Sequence, residues 1–116
     1  MYVHIPGLKV VCPASPYDAK GLLVSTVRND NPVLYIDDRW LYTLEEEVPD
    51  EMFEVPLGKG RVCKEGSDVT IVAVSCLVRE AMEAADVLSS ERISAEVIDP
   101  RSFPLFQASI EIILNS

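Results

Sequence analysis

Two short apolar runs flanking one well-punctuated helix, between Leu8 and Asp37, constrain the fold more than any other feature of the chain. Leu8-Lys9-Val10-Val11-Cys12 is ended by Pro13. Ser15-Pro16-Tyr17-Asp18 has the order of a helix start, with Ser15 as N-cap, Pro16 at the first helical position and Asp18 at the third. Ala19, Leu22, Leu23, Thr26 and Val27 then follow the stripe of a helix with one buried face. Asn29-Asp30-Asn31-Pro32 stops it, because Pro32 disfavours helix at Asn31. Val33-Leu34-Tyr35-Ile36-Asp37 is the second run. Two buried strands joined by a helix predict a parallel βαβ unit with a right-handed crossover.

The second half repeats the pattern. Gly60-Arg61-Val62-Cys63 is a short strand candidate, and Lys64-Glu65-Gly66-Ser67 a turn. Val69 to Val74 is β-branched and apolar, as a strand buried on both faces should be. Ser75 is the expected N-cap of a helix from Leu77 to about Ser90, with Leu77, Val78, Ala81, Ala85 and Leu88 as its buried stripe. Ile93 to Ile98 is the next strand, and Ile110, Ile112, Ile113 and Leu114 suggest a last helix. Between the halves, the acidic stretch with Pro49 and Pro56 reads as an extended, solvated connector. The expected class is therefore α/β, as parts of two consecutive parallel-sheet domains: residues 1–44, a linker over 45–57, and residues 58–116. Two-stranded sheets are marginal in water. The chain is thus expected to be a fragment of a larger protein, or to fold against partners.

Composition narrows the function classes. The net charge of −9, with no cluster of Lys and Arg, disfavours nucleic acid and anionic membranes. No apolar run approaches the roughly 20 residues that span a bilayer, and Met1-Tyr2-Val3-His4 lacks the pattern of a signal peptide. Cys12, Cys63 and Cys76 are odd in number and far apart, which reads as reduced thiols in a cytoplasmic compartment.

Few residues suggest chemistry on their own. His4, the one histidine, precedes a Pro6-Gly7 turn; it suits either a structural turn position or proton transfer. The helix end at Thr26 to Asn31 leaves carbonyls without intrahelical partners at the negative end of the dipole. That end is either an ordinary C-cap bound to water or a seat for a monovalent cation. Asp37, Asp38 and Arg39 follow a strand at its C-terminal end, where α/β sheets place ligands, though a surface or interface role suits them better. Trp40 and Tyr42 are either interface anchors or core.

Several stretches carry a family resemblance: His4-Ile5-Pro6-Gly7-Leu8-Lys9-Val10-Val11, Asp18-Ala19-Lys20-Gly21-Leu22-Leu23, Asn31-Pro32-Val33, Glu46-Glu47-Val48-Pro49, Val55-Pro56-Leu57-Gly58-Lys59, Glu65-Gly66-Ser67-Asp68-Val69-Thr70 and Val97-Ile98-Asp99. In this order they resemble the β subunit of the E1 component of 2-oxoacid dehydrogenases, transketolase-like thiamine-diphosphate enzymes acting on pyruvate or branched-chain 2-oxoacids. The resemblance implies that residues 1–44 end a pyrimidine-binding domain and residues 58–116 begin a transketolase C-terminal domain. It implies oxidative decarboxylation with acyl transfer to lipoamide, an E1 α subunit and a second β subunit in an α2β2 assembly, and a lipoyl-bearing E2. It implies thiamine diphosphate, Mg²⁺ and a structural K⁺. It gives His4 a catalytic role in acyl transfer, either donating to a developing oxyanion or taking the thiol proton. It makes the carbonyls of Thr26, Val27, Asn29 and Asn31 the K⁺ ligands.

Two departures from the family pattern matter. The Gly-Asp-Gly motif that places the divalent ion is missing, as expected if it belongs to the α subunit. The glutamate that activates the cofactor would fall before Met1, so the isolated chain is expected not to turn over. In addition, Asp99-Pro100-Arg101-Ser102-Phe103-Pro104-Leu105-Phe106 lacks one spacer and has Phe106 where the family has an acid. The alternatives are another transketolase-type thiamine enzyme, such as an acetoin dehydrogenase or deoxyxylulose-phosphate synthase relative, or a non-catalytic assembly module.

Overall fold

The computed structural model describes residues 7–103. Its elements run β1 (Lys9–Val11), α1 (Pro16–Val27), β2 (Val33–Tyr35), a 3-10 turn (Arg39–Leu41), β3 (Arg61–Lys64), β4 (Val69–Val72), α2 (Leu77–Ser90), β5 (Ala95–Asp99) and β6 (Ser102–Phe103). Two three-stranded sheets result, in the orders β2-β1-β6 and β3-β5-β4.

The α/β class and the two parallel pairs are as expected: β1 pairs with β2 and β4 with β5. Each sheet also carries an antiparallel edge strand, β6 on β1 and β3 on β5.

Local signals act as read at the first helix. The Ser15 hydroxyl accepts from the Asp18 N–H at 3.2 Å, and Pro16 opens α1. The buried face differs from the expected stripe. Asp18, Gly21 and Leu22 are buried, whereas Leu23 is 49% and Val27 77% exposed. The cause is the connector. Its acids Glu45, Glu46, Glu47, Asp50 and Glu51 are exposed as expected, but the segment also lies along α1: the Val55 N–H donates to the Gly21 carbonyl at 3.1 Å, the Ser25 hydroxyl to the Val55 carbonyl at 2.6 Å, and the Tyr17 N–H to Glu46 Oε1 at 2.7 Å. Phe53 stacks on Tyr17 with ring centroids 4.4 Å apart. A Cβ on Gly21 would stand 2.3 Å from Val55 Cγ2, so only glycine admits this approach. Val11, Leu22 and Val55 form the first core.

The second core is Ala73, Val78, Ala81, Ala85, Ala95 and Val97. Central β5 is buried at every position but the half-buried Glu96, while β4 lies at an edge with Val69 and Val72 exposed. The apolar run Val69–Val74 therefore marks an edge strand rather than a doubly covered one. Ser75 is not the N-cap of α2. It sits at φ +59°, Cys76 takes the cap position without a side-chain cap bond, and Leu77 is exposed. The expected last helix, at Ile110 to Leu114, lies outside the described residues.

Candidate functional site

His4 lies outside the described residues. The four expected cation ligands are described, and they fall together at the C-terminal end of α1. The Arg28 N–H donates to the Val24 carbonyl at 3.1 Å, the Asn29 N–H to the Thr26 carbonyl at 3.2 Å, and the Asn31 N–H to Asn29 Oδ1 at 2.9 Å. The Thr26 hydroxyl is spent on the Leu22 carbonyl at 2.7 Å. Side chains here thus bind the backbone, and what the loop offers a ligand is carbonyl oxygen. The Thr26 carbonyl is the most committed of the four, leaving Val27, Asn29 and Asn31 as the better donors. A neutral oxygen set at the negative end of a helix suits a weakly hydrated monovalent cation better than a divalent one. Among the described residues, no three His, Cys, Asp or Glu side chains stand together as metal ligands.

Asp38, at the end of the β2 region, is a brace. Its Oδ1 accepts from the Trp40 N–H at 3.0 Å and its Oδ2 from the Ser75 hydroxyl at 3.4 Å. The Cys76 thiol also donates to it; with the Trp40 N–H this holds Asp38 below its ordinary value and pushes Cys76 up. Cys76 is therefore a poor nucleophile at neutral pH. Trp40, 83% exposed, is not core; with Leu41, Cys76, Arg79, Glu80 and Glu83 it lines a cavity of about 390 Å³. Asp37 accepts from the Tyr42 hydroxyl.

A third cluster has no precedent in the sequence reading. Asp18 and Asp99 are each 1% exposed, and Arg101 stands beside both. Arg101 Nε donates to Asp18 Oδ2 at 3.1 Å, and its Nη2 lies 3.0 Å from Asp18 Oδ1. The second contact falls outside hydrogen-bond geometry and acts as an ion pair. The Arg101 N–H donates to Asp99 Oδ1 at 2.9 Å. Asp99 is pushed up to about 6 by burial and by Asp18, against the opposing pull of its Arg101 N–H bond and the Arg101 and Arg61 charges. The pairing spans 83 positions, so no local pattern announces it. The available signal was that Asp18 and Asp99 both lie in the stretches that carry the family resemblance.

Residues 58–113 match the family model described as transketolase, C-terminal domain. The β subunit of acetoin:2,6-dichlorophenolindophenol oxidoreductase from Bacillus subtilis (strain 168) is 46% identical over 111 residues, 95% of this chain and 32% of that one. The pyruvate dehydrogenase E1 component subunit beta of Acholeplasma laidlawii is 44% identical over 117 residues, 100% of this chain and 35% of that one. The chain thus spans about a third of the length of these relatives. A solved structure titled split gene transketolase, inactive beta4 tetramer, superposes with a TM-score of 0.72 at 33% identity, covering 83% of this chain and 31% of that one. The transketolase complex with sedoheptulose 7-phosphate from Pichia stipitis shares the fold, with a TM-score of 0.67 at 16% identity over 97% of this chain and 17% of that one.

Proposed function

We propose that the chain, with its match to the transketolase C-terminal domain and its 44–48% identity to E1 β-type subunits, belongs to that family and serves the β-subunit part of a thiamine-diphosphate-dependent 2-oxoacid dehydrogenase. The reaction is oxidative decarboxylation of a 2-oxoacid with acyl transfer to lipoamide. The observation that carries this reading is the 44% identity to a pyruvate dehydrogenase E1 β subunit, which runs through both halves of the chain. A second reading, acetoin cleavage, draws on the 46% identity to an acetoin oxidoreductase β subunit.

In this reading residues 1–44 close the pyrimidine-binding domain, 45–57 connect, and 58–116 open the C-terminal domain; the family match beginning at residue 58 supports the last boundary. Thiamine diphosphate supplies the nucleophilic carbon when bound in the complete enzyme, with Mg²⁺ held by the α subunit. His4 holds or moves a proton during acyl transfer. The carbonyls of Val27, Asn29 and Asn31, with Thr26, hold K⁺ and order the end of α1.

Partners are an E1 α subunit, a second β subunit in an α2β2 assembly, and a lipoyl-bearing E2. The exposed apolar side chains of Leu23, Val27, Ile36, Trp40, Val69, Val72 and Leu77 support a surface that other chains cover. No helix among the described residues is long and apolar enough to cross a membrane. The likeness to bacterial E1 β subunits supports a cytoplasmic location.

Two results are expected. The chain mixed with an E1 α subunit, thiamine diphosphate and Mg²⁺ gives no acetyl transfer from pyruvate; rapid transfer contradicts this division of labour. Replacing choline chloride by KCl at constant ionic strength raises the thermal midpoint of the chain. At tenfold above the dissociation constant the gain is about 1.4 kcal/mol. Identical midpoints in the two salts remove the cation from the loop.

A further inference from the structure

The two halves of the chain meet through a small set of buried polar contacts. β6, from the second half, pairs with β1, bringing Phe103 opposite Val10 and Ser102 opposite Val11. The Cys12 N–H donates to the Arg101 carbonyl at 2.8 Å. The buried Ser102 hydroxyl accepts from the Gly58 N–H at 2.7 Å. Arg101 is held at φ +64°, a left-handed conformation unusual for a side-chain-bearing residue. It sends its guanidinium to Asp18 on α1 and its own N–H back to Asp99. Among the described residues, the charged groups at this junction are Asp18 on α1, Arg61 on β3, Asp99 at the end of β5 and Arg101 on the turn. Cys12 after β1 and Cys63 on β3 also face it, and burial with the Asp99 charge pushes both thiols up, so they stay neutral in the working range.

Arg101 thus serves two buried carboxylates, its guanidinium contacting Asp18 and its N–H bonding Asp99 while its charge acts on both, in a site nearly closed to water. We propose that this junction is a proton-operated clamp: uptake of one proton by Asp99 commits Arg101 to Asp18 and tightens the second half onto the first.

The inference is independent of the reaction assigned above. Its sign follows from linkage. A carboxyl that binds its proton more readily in the docked state makes docking stronger as pH falls. Here the window runs from about 6, the docked value of Asp99, down toward 3.8, its ordinary one. A two-unit displacement corresponds to a limit of about a hundredfold in the docking equilibrium.

The test is hydrogen exchange of the full chain between pH 8 and pH 5.5, corrected for intrinsic exchange rates and read at the Cys12 and Gly58 amides that close the junction. The clamp predicts that protection of these two amides rises severalfold over this range while the α2 amides change less. Asp99→Asn, which keeps an oxygen acceptor for the Arg101 N–H, is expected to hold the protected state at every pH. Flat protection in the unsubstituted chain, or an unchanged pH dependence in the variant, overturns the proposal. Should Asp99→Asn fail to fold, ¹³C NMR of the Asp99 carboxyl in the unsubstituted chain decides. A titration midpoint near 6, with protection beginning to rise at that pH, supports the clamp; a midpoint near 4, or protection that does not rise as the carboxyl takes up its proton, overturns it.

Discussion

Replacing Arg101 by methionine destabilises the chain by about 3–5 kcal/mol at pH 7.5, because it strands two buried carboxylates. Asp18 loses both its 3.1 Å hydrogen bond and its 3.0 Å ion pair. Asp99 keeps the backbone N–H of residue 101 but loses the nearest positive charge, so its ionised form becomes costlier still. A domain of this size has about 5–15 kcal/mol of stability in total, so roughly a fifth or more is at stake. Denaturant unfolding measures the loss. The double variant Asp18→Asn with Arg101→Met is expected to lose less than the sum of the single changes, since one uncompensated charge is then gone. Acid is also expected to rescue Arg101→Met partly, as Asp99 takes up its proton. Strict additivity, with a pH-independent loss, would show that the three side chains do not act as a unit.

The second large effect separates two neighbouring leucines. Leu22 is fully buried between Val11 and Val55, and Leu22→Ala is expected to cost about 2–5 kcal/mol through lost burial and the cavity left behind. Leu23, half exposed on the adjoining face of α1, is expected to lose only about 0.5 kcal/mol on the same change. Paired denaturation curves of the two variants give the comparison. Equal losses would mean that α1 buries the face expected from its periodicity, and that residues 53–55 do not lie along it.

These two residues also show where sequence reading succeeds and where it stops. The ends of α1 were legible because Ser15, Pro16 and Pro32 act through local backbone chemistry. The strands at Lys9–Val11, Val33–Tyr35 and Ala95–Asp99 were legible because apolar runs between turn signals have few other uses. The helical stripe was off by one position because the surface that α1 meets is another segment, Phe53 to Val55, folded back from about 30 positions away. Glu46 looked like one of a solvated acidic run; its partner, the Tyr17 N–H, is a helix-terminal donor that only tertiary structure brings near. β6 is two residues long and borrows its partner from β1, so nothing in Ser102-Phe103 announces a strand. The Asp18–Arg101–Asp99 cluster was hidden for the same reason. The cation loop is the opposite case. Its ligands are backbone carbonyls, which leave no side-chain signature, so only the resemblance pointed to it. The structure adds that Thr26 is the most committed of the four.

The central claim is that this chain does the work of the matched third of an E1 β subunit. The most direct measurement replaces that third in a pyruvate dehydrogenase E1 β subunit by this sequence, pairs the chimera with its α subunit, and assays acetyl transfer to lipoamide. The account predicts activity that requires thiamine diphosphate and falls by about 10²–10⁴ on His4→Ala, with assembly unchanged. A chimera that assembles with the α subunit and binds the cofactor but transfers nothing would contradict it.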